Sequence, residues 1–227
     1  DIWIAGGPAE EQAVRGGAEI ILTASASPYH ANKADERRRM IATRAADNLA
    51  VVGYVNLVGG QDEVVFDGAS LIIDERGRVL AEGAMFEEDL VLADVDLDEV
   101  FNARLHDTRL RKERQLAAEQ ALPRIELPLA ASAGTQAKAP LAPRPPRRER
   151  ADAEEIYHAL VLGTHDYVTK NGFATVVLGL SGGIDSALTA CIAADALGAG
   201  NVVGVSMPSD YTSRESLAGA EQLSARL

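Results

Sequence analysis

Val177-Leu178-Gly179-Leu180-Ser181-Gly182-Gly183-Ile184-Asp185-Ser186 is the stretch on which the fold turns. Residues 175–180 (TVVLGL) form a short apolar run, which predicts a buried strand. Residues 187–197 carry small residues at helical spacing and are closed by Gly198, which predicts a helix. The loop between them meets a helix N-terminus, where unpaired N–H groups and the positive end of the dipole are on offer. Gly182 and Gly183 let a ligand approach the backbone closely, and Ser181 and Ser186 add hydroxyls. Such a loop suits a phosphate group. Residues 202–207 read as a second buried strand and residue 213 onward as helix. A strand–helix–strand crossover of this length predicts a parallel pair in a right-handed unit, the beginning of a doubly wound sheet.

Other loop chemistries fit less well. A Walker A loop ends in Gly-Lys-Ser/Thr, and no Lys stands here. Glycines at 179, 182 and 183 do not make the dinucleotide pattern G-x-G-x-x-G. Gly179-Leu180-Ser181-Gly182-Gly183 does match G-x-S-x-G, the nucleophile elbow of α/β-hydrolases, and the alternative reading is a serine hydrolase using Ser181. That chemistry needs an acid and then a His after the Ser, and His30, His106, His158 and His165 all precede it. The plainest alternative is a glycine-rich turn with Asp185 or Ser186 as helix cap.

Outward from the loop, composition sets the limits. The 227 residues are 47% hydrophobic and 25% charged, ordinary values for a chain with a packed core. Mean hydropathy is -0.04, and no apolar run approaches the roughly 18 residues of a membrane span. A single Cys excludes a disulfide framework and a Cys-only metal cluster. Lys+Arg 22 against Asp+Glu 34 gives a net charge of -12, which argues against a broad nucleic-acid surface. Nothing reads as a targeting peptide, and a reducing cytoplasm is the expected compartment.

The first 122 residues alternate strand and helix signals. Strands are expected at 19–23, 51–58, 64–66, 70–73, 79–84 and 90–95, with helices at 32–50 and 98–122. Residues 51–58 (VVGYVNLV) are nearly all apolar, as in a strand buried on both faces, and Gly59-Gly60 is expected to end it. Residues 123–150 are rich in Ala and Pro and close on Arg147-Arg148-Glu149-Arg150; they read as a solvated linker. An amphipathic helix over 152–170 follows, stopped by Asn171-Gly172. Cys191 on the next helix is expected to be a buried thiol packed against the sheet.

Ser181-Gly182-Gly183-Ile184-Asp185-Ser186 resembles the S-G-G-x-D-S pyrophosphate loop of the ATP-pyrophosphatase superfamily. With Leu178-Gly179-Leu180 before it, and Gly204-Val205-Ser206-Met207-Pro208-Ser209 and Tyr211-Thr212-Ser213 after it, the stretch looks like the NAD synthetase family. Upstream, Ser25-Ala26-Ser27-Pro28-Tyr29-His30, Lys33, the run from Val55 to Glu63 and Val65-Phe66-Asp67-Gly68 resemble the nitrilase-like glutaminase half of the glutamine-dependent members.

The resemblance implies an α/β fold: the C-terminal part of a nitrilase-like sandwich over 1–122, a linker over 123–150, and the N-terminal part of a doubly wound ATP-pyrophosphatase domain over 151–227. It implies a carbon–nitrogen ligase in which glutamine hydrolysis supplies ammonia for ATP-dependent amidation of deamido-NAD through an adenylate. Gly179, Leu180, Ser181, Gly182, Gly183, Ile184, Asp185 and Ser186 would bind ATP, with Asp185 as candidate magnesium ligand. Ser27 and Lys33 would hold glutamine, and Gly59 to Glu63 would line its pocket or an interface, or form a solvated hairpin. In that family a Cys-Glu pair stands just before Asp-x-Trp. Since the sequence opens Asp1-Ile2-Trp3, the nucleophilic Cys is expected two residues ahead of Asp1, with its Glu and Lys partners further upstream. The chain then reads as an inactive piece of a longer protein. Glutamine, ATP and deamido-NAD are the expected partners, with no nucleic acid or membrane, in a homo-oligomer.

Overall fold

The computed structural model describes residues 1–116, 122–127, 139–148 and 150–227. They divide into two compact units. One comprises Asp1–Ser27, Asn32–Leu57 and Gly68–Arg148; the other comprises Pro28–Ala31, Val58–Asp67 and Glu149–Leu227. Among the described residues no helix is long and apolar enough to cross a membrane.

The first unit is built on a four-stranded sheet. Helix α1 (Pro8–Val14) precedes strand β1 (Ile20–Ser25), helix α2 (Lys33–Asn48) and strand β2 (Val51–Asn56). β1 and β2 pair in parallel, from Ile20 opposite Val51 to Ser25 opposite Asn56. α2 is the crossover between them. Its buried residues Ala34, Arg37, Ile41, Ala45 and Asn48 fall at steps of three and four, one face of a helix. Ile41 and Ala45 pack on Ile21, Val52, Tyr54, Leu71 and Ile73.

The stretch 51–58 is not one strand buried on both faces. β2 stops at Asn56, and a separate hairpin follows: β3 (Val58–Gln61) and β4 (Val64–Asp67). Leu57 lies between, donating its N–H to the Ser25 carbonyl at 2.9 Å and accepting from Gly68 N at 3.0 Å. Gly59 and Gly60 lie within β3 rather than ending a strand. Among the described residues one face of the first sheet is covered and the other is open: Tyr54 is 1% exposed, and Val55 beside it is 61% exposed. Strands β5 (Leu71–Ile73) and β6 (Val79–Glu82) complete that sheet in antiparallel fashion, in the order β1-β2-β5-β6.

Residues 90–95 form no strand. Leu90 and Leu92 are exposed, and neighbouring Asp89 holds Ala84 N at 2.8 Å and the Arg144 guanidinium. The hydrogen bond from Arg144 keeps the Asp89 carboxyl below its ordinary pKa. The helix expected at 98–122 is two, α3 (Leu97–His106) and α4 (Thr108–Leu116); residues 117–121 lie outside the described residues. Asp107 breaks it, its Oδ1 accepting from Leu110 N at 2.9 Å. The described parts of 123–150 carry no helix or strand. Their arginines are not merely solvated, since Arg147 pairs with Asp35 at 3.3 Å with only 16% of its side chain exposed.

The second unit contains helix α5 (Asp152–Lys170), strand β7 (Val176–Gly179), helix α6 (Ile184–Leu197), a single 3-10 turn (Ala199–Asn201), strand β8 (Val202–Val205) and helix α7 (Arg214–Arg226). β7 and β8 pair in parallel, as the crossover length requires. They are not buried strands in this chain: Val177 is 69% exposed and Val203 47%. α5 packs on α6, and Tyr157 donates to Asp195 Oδ2 at 2.6 Å, which pushes the phenol up to about 12. Cys191 on α6 is half-buried, short of the full burial expected.

The β3–β4 hairpin belongs to this unit, although it falls inside residues 1–122. Asp166 Oδ2 on α5 accepts from Gly60 N at 2.7 Å, and Lys170 Nζ donates to Gly60 O at 2.7 Å. The backbones meet closely: a Cβ on Gly60 would come within 3.1 Å of the Gly163 Cα. Burial pushes the Asp166 carboxyl upward, but hydrogen bonds from His165, Lys170 and Gly60 N outweigh it and its pKa falls below the ordinary value. A lowered carboxyl pKa gives stability that is full above the ordinary carboxylate range and is lost as pH falls through the folded-state value. Hydrogen-exchange protection of the Gly60 amide should therefore hold through mildly acid pH and collapse only in stronger acid. Asp166→Asn should lower that protection at neutral pH; equal protection in both forms would mean that the ion pair does not hold the hairpin.

Candidate functional site

The Ser181–Ser186 loop leaves the carboxyl end of β7, where parallel sheets place their ligand sites. Gly179 is the last strand residue. Leu180 anchors the loop from below: it is buried, donates its N–H to the Val205 carbonyl at 2.9 Å, and packs with Ala190 of α6 and Ala220 of α7. Ser181, Gly182, Gly183, Ile184 and Asp185 are all exposed. Ser186 Oγ donates to Gly183 O at 3.0 Å and accepts from Ser181 N at 3.3 Å. Its one proton is thereby used, so the Ser181 hydroxyl, 3.0 Å away, donates to it.

Gly182 has φ of +79°, a conformation that favours glycine. A Cβ there would overlap the Ser216 carbonyl of α7. Gly183 is different: its φ of -85° and ψ of 164° suit any residue, and a Cβ would meet only Ser181 Oγ at 3.4 Å. Gly183 is the N-cap of α6, and no side chain caps that helix. Neither Asp185 nor Ser186 is the cap that the plainest alternative requires. The amides of the first turn therefore face outward beside a loop without bulk.

The serine-hydrolase alternative loses support from the same geometry. The strained residue of the turn is Gly182, not Ser181, and the Ser181 hydroxyl bonds to Ser186 and to Gly183 N rather than to a histidine. The contribution of α7 is absent from the motif reading. Ser216, Gly219 and Ala220 are small residues three and four apart, and that spacing is the signal for a helix approached closely by another backbone.

In the first unit, Ser27 lies just past β1 and is buried. Asn56, the last residue of β2, grips it: Ser27 N donates to Asn56 Oδ1 at 2.8 Å, and Asn56 Nδ2 donates to Ser27 O at 3.3 Å. Arg37 Nη2 donates to Ser27 Oγ at 3.4 Å. Lys33 opens α2, with its Nζ 3.0 Å from Glu36 Oε2 and 4.1 Å above the Trp3 ring. No hydrogen bond joins Ser27 to Lys33 among the described residues. Gly59 and Gly60 are buried, with Gly60 held on α5, while Gln61, Asp62 and Glu63 are exposed at the turn of the hairpin. Arg37 is absent from the sequence reading, because no local pattern marks a buried charge on an otherwise charged run, and Asn56 enters it only within the run from Val55 to Glu63, with no role of its own.

Comparison with known proteins adds two family matches. Residues 11–104 match the carbon-nitrogen hydrolase family and residues 156–227 match the NAD synthase family. The chain is similar along its whole length to the glutamine-dependent NAD(+) synthetases of Aquifex aeolicus (45% identical) and Thermotoga maritima (40% identical), and spans 38% of each. Among solved structures, the glutamine-dependent NAD+ synthetase of Acinetobacter baumannii in complex with ADP aligns with a TM-score of 0.71 at 32% identity. That alignment covers 95% of this chain and 34% of that one.

Proposed function

We propose that this chain, a carbon–nitrogen hydrolase region followed by the beginning of an NAD synthase domain, is part of a glutamine-dependent NAD(+) synthetase. One observation carries the proposal: an uncapped helix start behind a glycine loop, in a chain similar over its full length to such enzymes. The domains are assigned as 1–122, 123–150 and 151–227.

Hydrolysis of glutamine would release ammonia. ATP would transfer its adenylyl group to the carboxylate of deamido-NAD, releasing pyrophosphate, and ammonia would then displace AMP to leave the amide. The α6 amides would bind the pyrophosphate of ATP, the Ser181 and Ser186 hydroxyls would turn their protons from Ser186 and Gly183 O to its oxygens, and Gly182 and Gly183 would admit it. Leu180, locked between α6 and α7, fixes the height of that loop. Ser27 and Lys33 would orient glutamine. The complete enzyme is expected to be cytoplasmic and to assemble as a homo-oligomer.

The residues present fit magnesium only as an ion shared with phosphate. Among the described residues no three His, Cys, Asp or Glu side chains converge. Asp185 is one exposed carboxylate beside the loop, and magnesium is commonly held by one or two carboxylates together with substrate phosphates. Asp185 would hold the ion, which would neutralise charge on the departing pyrophosphate. Without a bridging cation that carboxylate would repel the ligand.

The test uses the full-length enzyme, assayed for NAD formation and glutamine hydrolysis separately. Asp185→Asn should reduce synthesis by about tenfold or more, the loss of one charged contact of about 1.4 kcal/mol, while glutamine hydrolysis remains measurable. Unchanged synthesis at limiting magnesium would remove Asp185 from the site. Failure of the unaltered enzyme to make NAD from deamido-NAD, ATP and glutamine would overturn the function.

A further inference from the structure

The parallel pair β1–β2 ends at Ser25 opposite Asn56, yet its hydrogen bonding goes further. The Asn56 side-chain amide accepts from Ser27 N and donates to Ser27 O, as a neighbouring strand would. One side chain thus satisfies both backbone groups of residue 27 beyond the end of the ladder. Asn56 is itself fastened, since its backbone N–H donates to Ser70 Oγ at 3.1 Å and its side chain is buried.

Arg37 completes the arrangement from α2. It is fully buried, on the helix face it shares with Ile41 and Ala45. Its Nη1 donates to Gly68 O at 3.2 Å, its Nη2 to Ser27 Oγ at 3.4 Å, and its guanidinium carbon lies 5.9 Å from the Tyr54 ring centre. A fully buried arginine is an expensive way to fill a core, and an apolar side chain of similar size is often as stable or more so. A guanidinium only donates, so Ser27 Oγ must accept from it, and the Ser27 proton is turned away toward another acceptor.

We propose that Arg37 and Asn56 are positioning residues, which together set the Ser27 hydroxyl as a hydrogen-bond donor aimed at an acceptor on the amino-acid substrate. Asn56 fixes where residue 27 sits, and Arg37 fixes which way its proton points. The group recognised is a carboxylate or carbonyl oxygen rather than an ammonium. This rests on the reading of Ser27 as a glutamine-binding residue.

The experiment uses the full-length enzyme and begins with the unaltered protein, whose synthesis of NAD from glutamine tests the proposed function by itself. Ser27→Ala, Arg37→Lys and their double variant are then compared for KM and kcat with glutamine. Lysine keeps the charge but cannot fork to both Gly68 O and Ser27 Oγ. Each single change should raise the glutamine KM by about tenfold with a smaller change in kcat, and the double variant should be no worse than the worse single. Additive effects, an unchanged KM for Arg37→Lys, or an unchanged KM for Ser27→Ala would each overturn the inference while leaving glutamine-dependent synthesis standing. Should Arg37→Lys fail to fold, Asn56→Asp decides. It keeps the acceptor for Ser27 N and sets a carboxylate against Ser27 O, so a raised KM that is non-additive with Ser27→Ala supports the inference and an unchanged KM refutes it.

Discussion

Replacing Gly182 with valine is expected to collapse the loop between β7 and α6 and to abolish nucleotide binding in the full-length enzyme. At φ of +79° a side chain costs about 1–2 kcal/mol, more when it is β-branched. The new Cβ would also overlap the Ser216 carbonyl, and relieving such overpacking costs about a further 1–3 kcal/mol. The obstacle is backbone on a packed helix, so it cannot swing aside as a side chain would. Relief requires α7 to move, and α7 carries Ala220 and Leu223 against Leu180. Thermal melting and ATP titration of the variant should both report the loss. A variant that melts normally and binds ATP normally would mean that α7 does not back the loop.

Gly183→Val should separate binding from folding. Its backbone is extended, and the added Cβ meets only Ser181 Oγ at ordinary van der Waals distance, so the melting temperature should fall only by what a poorer N-cap costs, about 1 kcal/mol, far less than in Gly182→Val. The loss should appear only when phosphates arrive at the α6 N-terminus. There a branched side chain at the N-cap would stand between ligand and amides, and ATP affinity should fall by roughly ten- to a hundredfold, about 1–3 kcal/mol of overpacking. Calorimetric titration of both proteins decides it, and equal affinities would end the phosphate-loop reading. The two glycines are adjacent and their failures differ in kind: one is required by the chain's own helix, the other only by a ligand.

Legibility followed physical locality. α5 is found over 152–170 as expected, because acidic residues in its first turn and Asn171-Gly172 at its end are local signals. The parallel β7–β8 pair follows from crossover length. The break at Leu57 is a tertiary matter: apolar content continues through it, and only the change of partner, from the first sheet to the hairpin, divides it. The expected burial of 175–180 and 202–207 fails at Val177 and Val203, though not at Leu180, for a related reason, since burial depends on what covers a face and not on the strand alone. Arg37 stands among Glu36, Arg38 and Arg39, a run that reads as a solvated face until the helix is laid on its sheet.

The hairpin Val58–Asp67 lies within the stretch that matches carbon-nitrogen hydrolases, yet it is built into the compact unit that holds the NAD synthase stretch. A cut through the linker would therefore divide the chain at a point where its packing does not divide. The downstream piece would lose the backbone that Asp166 and Lys170 grip, and the upstream piece would keep a two-stranded hairpin, a form that is marginal by itself. For inheritance this means that the halves cannot be traded freely. A segment transplanted upstream of the linker would have to bring a hairpin whose glycine fits against Gly163, so exchange at the linker favours lineages that share that fit.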